Sequence, residues 1–409
     1  MTGLFVDTKP LRVSRDFRLL FVGQAISFLG AMITMAALPY QLFHATHSSV
    51  DVGLLGLAQL GPMLVCGLMG GVLADAVDKR VLLLILGVAA GTTSLLLALN
   101  ASLSHPQIWV LYVLGVASTS AGALIFPVMR SLLPLLLEPE LRPAAFTLQA
   151  TYGSFGMMAG PAVGGLLIGA FGLKSAYALD VITYVVALGV YTRIAPSPPV
   201  ASAAGAPRTS VLEGVRFLRG HSLVVSIFGI DLLAMVFGMP RALFPALADR
   251  LGGGPLLYGL LLSSVAAGAF IASLTSGWTS RIRRYGRAVV WSVCGWGGAI
   301  AVAGLVRSPW IALPALLVAG GADMISGVYR STIAAEVTPD ELRGRVSGVE
   351  FAVYASGPVL GDVEAGLVGG LVSVPFAIVS GGIACVVAAL AFGALVPGFA
   401  SYVAPSTDA

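Results

Sequence analysis

Apolar runs of about 20 residues recur along this chain from residue 19 to residue 397, and every gap between them holds charges, proline or glycine. A run of that length is what one helix needs to cross the roughly 30 Å hydrocarbon core of a bilayer. Repeated a dozen times, such runs leave an all-α membrane protein as the fold class, because in lipid each backbone polar group must be satisfied within its own helix or a closed barrel. Only 10% of the residues are charged, against roughly a quarter in soluble domains. Twelve spans are predicted, near 19–43, 52–74, 81–103, 108–137, 144–170, 176–194, 222–247, 256–278, 288–306, 310–335, 346–372 and 376–397. The first run is full length and has no early small-residue cleavage site, so no removable signal peptide is expected.

Basic residues set the orientation, since Lys and Arg concentrate in cytoplasmic loops. With the N-terminus in the cytoplasm, 17 of the 23 fall on that side, including Lys9, Arg142, Arg281, Arg283, Arg284, Arg287 and Arg343. Lys174, Arg250 and Arg307 fall opposite, and Arg130, Arg241 and Arg330 lie inside spans. Both termini are therefore expected in the cytoplasm. Topology accounts for the net charge of +4, which implies no nucleic-acid partner. Cys66, Cys294 and Cys385 all fall within spans and read as small apolar residues rather than disulfide partners.

One long polar insert, 193–221, splits the chain into 1–192 and 222–409. Its Pro/Ala/Ser-rich first part reads as a flexible linker, and SVLEGVRFLRG reads as a short amphipathic helix on the membrane surface. The halves repeat one another. At an offset of 206, Gly23 falls on Gly229, Pro39 on Pro245, Gly53 on Gly259 and Gly71 on Gly277. Further on, LEPELRPA resembles VTPDELRGR, and GPAVGG (160–165) matches GPVLGD (357–362). Six helices repeated in the same orientation resemble the major facilitator superfamily, whose halves enclose a central cavity at the bilayer midplane.

Three stretches carry that resemblance. GGVLADAVDKR (70–80) is similar to the superfamily's signature between helices 2 and 3, with Gly71, Asp75, Lys79 and Arg80 in register and Ala76 and Asp78 departing from it. The resemblance implies a cytoplasmic gate of Gly71, Asp75, Asp78, Lys79 and Arg80, with the Asp75 carboxylate meeting the N-terminus of helix 11 near Gly344–Gly348. GSFGMMAGPAVGG (153–165) resembles the fifth-helix signature of proton-driven antiporters, through Gly156, Gly160, Pro161, Gly164 and Gly165. Independently of that likeness, Gly153, Gly156, Gly160 and Gly164 lie on one narrow helical stripe, where small residues let helices approach closely in lipid. Pro161 also removes one helix hydrogen bond. DFRLLFVGQAISFLG, RALFPALADRLG and TPDELRGRVSG together resemble the enterobactin-exporter branch. The sugar-importer signature after helix 6 is absent, and so is the mid-helix-4 arginine of many drug antiporters; Arg130 lies nearer that helix's end.

Ionisable groups at membrane depth are costly and are functional candidates by default. Asp231 is expected near the midplane of span 7, without a partner on its own helix. Asp323 and Arg330 share a face of span 10, about 10 Å apart by helical rise, and are expected to pair. Asp362 stands where the repeat has Gly165. Asp180, Glu350 and Glu364 lie nearer span ends, within reach of water. Gln24 and Gln59 either line a cavity or join helices. His44 and His47 lack the neighbours of a metal site, and no metal or cofactor is expected. No lysine follows a glycine, so the phosphate-cradling step of an ATP-driven pump cannot be built. No clustered nucleophile and base points to a membrane enzyme.

These readings lead to a monomeric secondary exporter in a bacterial inner membrane. It would exchange protons for a siderophore or another amphipathic organic molecule, the siderophore coming from the resemblance alone. A multidrug antiporter, a non-transporting receptor and a membrane enzyme stay as alternatives.

Overall fold

The computed structural model describes residues 6–196, 221–339 and 342–403. Among them all regular structure is helical. After a short helix, Lys9–Val13, come α1 (Arg15–Thr46), α2 (Ser49–Ala76), α3 (Lys79–Ala101), α4 (Ile108–Leu136), α5 (Arg142–Phe171) and α6 (Leu173–Tyr191). The second set is α7 (Ser222–Gly238), α8 (Gly254–Thr275), α9 (Tyr285–Leu305), α10 (Pro309–Val337), α11 (Arg343–Leu371) and α12 (Val374–Leu395). Eleven of these regions are long and apolar enough to cross a membrane. The twelfth, α11, has 29 residues, but Asp362 and Glu364 dilute its apolar character. Of the predicted linker, 197–220 lie outside the described residues, and the amphipathic helix expected there lies outside them too.

Some helix starts are capped by a short side chain that accepts from the free N–H groups of the first turn. Ser14 accepts from the Phe17 N–H at the start of α1, and Ser373 from the Phe376 N–H at the start of α12. Large apolar side chains point outward where a soluble protein would hide them: Leu371 is 84% exposed and Trp310 82%. Such faces are solvated by lipid.

Among the described residues, those up to 47 with 58–196 form one compact unit, and 48–57 with those from 221 onward form the other. In the first, α1 packs on α5 and α6, and α3 on α4 and α6; in the second, α7 packs on α11 and α12, and α9 on α10 and α12. The repeat reaches individual contacts. A methyl group at Gly23 of α1 would press on Tyr191 of α6, and one at Gly229 of α7 would touch Phe392 of α12. Gly160 of α5 abuts Met32 of α1, as Gly357 of α11 abuts Met235 of α7.

One span departs from its prediction. The seventh, expected to run unbroken over 222–247, stops at Gly238 and resumes through the turn Arg241–Leu243 into a short helix, Phe244–Arg250. Pro240 lacks the N–H that would continue α7. The first unit has no proline at that point of α1, which runs through Pro39 to Thr46.

Candidate functional site

The second unit holds a buried charge cluster. Asp231 projects from α7 and is 8% exposed, and its Oδ1 pairs directly with Nη1 of Arg330 on α10. Arg330 also reaches toward its own helix's N-terminus, the direction in which helical side chains lean, and places Nη2 3.9 Å from Asp323 Oδ1. As expected, Asp231 has no partner on its own helix; its partner lies on α10, which spacing along one helix cannot reveal. Asp323, expected to pair with Arg330 along α10, does so more loosely than Asp231, with 36% of its side chain exposed against 11% for Arg330. Two carboxylates thus share one guanidinium. A charge pair at this depth holds only if its hydrogen bonds are good, and the third charge is left partly to solvent.

Asp362 has a different setting. It lies on α11 beside the break after α7, where its Oδ1 accepts from the Ala242 N–H at 2.9 Å and its Oδ2 pairs with Arg241 at 2.9 Å. A broken helix leaves free N–H groups at its restart, and this carboxylate takes one of them. The repeat partner is Gly165, and in that unit α1 runs unbroken and leaves no restart to cap.

The first unit carries a site that sequence reading placed wrongly. Asp180, expected near water, is 1% exposed. Its Oδ2 accepts from Thr34 Oγ1 of α1 and from Ser94 Oγ of α3, each at 2.6 Å. Thr183 Oγ1 lies 3.3 Å from Oδ1. Gly30 makes the room, since a methyl group there would collide with both Asp180 and Thr183. The available signal was the buried face Ala176, Asp180, Thr183 and Ala187 on α6; the partners on α1 and α3 leave no trace in local spacing.

The gate residues divide. Asp75 is exposed at the end of α2 and a methyl group at Gly71 would meet nothing. Asp78 caps α3, accepting from the Arg80 N–H at 2.9 Å and the Val81 N–H at 3.2 Å. Lys79 is buried, and the Arg80 guanidinium donates to the Thr192 carbonyl just past α6. On α5, Gly156 and Gly160 press on Phe28 and Met32 of α1 and Gly164 touches Ile33, whereas Gly153 meets nothing within 4 Å. Pro161 and Gly165 are buried beside them. Tyr191 donates to Gln24 Oε1 at 3.0 Å, which joins α6 to α1. Gln59 is half-buried.

Residues 7–405 match the family model described as transmembrane secretion effector. The chain belongs to that family. It is 29% identical over 361 residues to the enterobactin exporter EntS of Shigella boydii serotype 18, covering 88% of this chain and 86% of that protein. The same identity and coverage hold for EntS of Escherichia coli strain SE11. Among solved structures, the nucleoside transporter NupG superposes with a TM-score of 0.77 over 93% of this chain and 99% of that one, at 13% identity. A D-xylose–proton symporter gives 0.71 over 96% and 98%, at 14% identity. This secretion-family member therefore has the major facilitator fold, as a multi-pass membrane protein.

Proposed function

We propose that the chain is a proton-coupled exporter of the bacterial inner membrane, moving a siderophore or a similar amphipathic organic molecule outward by alternating access. Both termini are then cytoplasmic. The siderophore reading draws on the EntS relatives at 29% identity. Coupling draws on one observation: the cluster has two carboxylates, Asp231 and Asp323, for the single cation Arg330. In apolar surroundings the uncompensated charge is costly. One proton neutralises the Asp231–Asp323–Arg330 group, and Asp323, with 36% of its side chain exposed, is the most accessible member to take it. Substrate that competes for Arg330 or displaces that proton gives exchange, provided the two do not occupy the cluster together.

Inside-out vesicles loaded with the protein and given labelled enterobactin test the reading. An imposed pH gradient is expected to drive accumulation in the wild type. Asp323→Asn and Asp231→Asn each leave one acid for one arginine and so remove the titrating charge. Both are expected to abolish gradient-driven accumulation while downhill exchange continues. Accumulation at the normal rate in both variants would remove the cluster from coupling, and absence of any enterobactin flux in the wild type would remove the substrate.

A further inference from the structure

We propose that a groove on the outer face of the second unit binds an anionic phospholipid. The groove encloses about 450 Å³ between α9 and α10, within the range of about 300–1,000 Å³ typical of small-ligand sites. Its floor has small residues on both helices, Gly295 and Ala322, where a methyl group added at Gly295 would come into van der Waals contact with Ala322. Trp291 of α9 and Trp278 of the preceding turn stand at its sides, 68% and 46% exposed. Tryptophan is enriched where membrane meets water, its indole reaching the headgroup level.

Charge selects the occupant. Arg284 and Arg287 line the mouth, both are exposed, and neither makes an ion pair among the described residues. From Arg284 to Gly295 the helical rise is about 16 Å, close to half of a hydrocarbon core of about 30 Å. The groove therefore has the layout of one lipid in one leaflet: cations at headgroup level, an aromatic shoulder, then an apolar channel one acyl chain deep. Basic pockets between membrane helices hold anionic headgroups in this manner. A zwitterionic lipid would fit the channel but gain little from the mouth. The site backs onto the charge cluster, for Ala322 and Tyr329 line the groove next in sequence to Asp323 and Arg330.

Native mass spectrometry of the full-length protein, with phosphatidylglycerol or phosphatidylcholine added, reads this directly. A preference for phosphatidylglycerol is expected in the wild type. Each basic residue near an anionic surface contributes about a fivefold preference, so Arg284→Gln with Arg287→Gln should lower it by about tenfold or more. The matched control, Arg281→Gln with Arg283→Gln, removes the same charge from the same loop outside the groove and should leave it nearly unchanged. In bilayers, brominated phosphatidylglycerol should quench Trp291, kept as the sole tryptophan, more than brominated phosphatidylcholine does. Equal binding of the two lipids, or equal loss in both double variants, overturns the proposal. So does a Trp291 shielded from both lipids, which would mean that a second copy of the chain covers the groove.

Discussion

The Asp180 carboxylate accepts from hydroxyls of two other helices, Thr34 on α1 and Ser94 on α3, while Thr183 on its own α6 donates to the Asp180 backbone carbonyl at 2.7 Å. Each hydroxyl has one proton to give, and hydrogen bonds to a charged acceptor stabilise by about 1.5–3 kcal/mol each. Asp180→Ala strips the shared acceptor, while Thr34 and Ser94 fall back on backbone carbonyls one turn earlier, so the net loss is expected at about 1–3 kcal/mol. Thermal unfolding in detergent should show it as a lower midpoint, with Asp180→Asn intermediate because the amide keeps an acceptor. A midpoint unchanged in the alanine variant would mean that the cluster contributes no stability. The site also marks where reading residues singly stops. Membrane depth made Asp231, Asp323 and Asp362 conspicuous in the sequence, but a partner on a different helix is a tertiary fact. For that reason the sequence leaves Asp231 with no partner on its own helix and places Asp180 within reach of water.

Among the helices, α5 shows what a periodic pattern can and cannot specify. Spacings of three, four and four residues put Gly153, Gly156, Gly160 and Gly164 on one stripe, and three of the four lie against α1. The fourth, Gly153, would meet nothing within 4 Å with a methyl group added, although its neighbour Tyr152 packs against Phe21 and Phe28 of α1. Gly160→Ala should therefore destabilise by about 1–3 kcal/mol through overpacking against Met32. Gly153→Ala should be neutral or gain up to about 1 kcal/mol, since alanine is the better helix former. Equal effects of the two substitutions in one unfolding assay would discount the stripe. The break after α7 is the companion case. Apolar composition alone read as one continuous span, although Pro240 stood in it, because proline is often tolerated in membrane helices. The carboxylate that takes the freed N–H comes from α11, over a hundred residues later. Asp362→Gly, which copies the first half of the repeat, leaves the Ala242 N–H and the Arg241 charge without their partner. It should cost about 2–5 kcal/mol, and Asp362→Asn, which keeps the acceptor for Ala242, should cost less. An asparagine variant as unstable as the glycine one would assign the whole effect to charge.

For the molecule as a whole, the twelve helices and the matched packing of each unit were legible because glycine and proline have backbone consequences that survive divergence of the apolar residues around them. Gly23 and Gly229 still receive an aromatic ring from the sixth helix of their own unit. If the protein alternates between two states as proposed, a linear pattern does not carry which of them is favoured, since both would use the same helices. On the proposed alternating-access reading, Asp75 sets that balance from the exposed end of α2. A carboxylate near a helix N-terminus stabilises it by about 0.3–2 kcal/mol, and α11 begins at Arg343. If Asp75 meets that terminus only while the cytoplasmic side is shut, Asp75→Asn removes stabilisation from one state alone. A pair of states near balance would shift about two- to thirtyfold toward the inward-open form. Cysteines introduced into the cytoplasmic half of the cavity should then react faster with a soluble maleimide in Asp75→Asn than in the wild-type background, and the same substitution at Asp78 should not have this effect. Asp78 caps its own helix, so Asp78→Asn, which keeps an acceptor for the Arg80 and Val81 N–H groups, acts alike on both states. Equal labelling rates in the wild type and Asp75→Asn would take the gate away from this carboxylate.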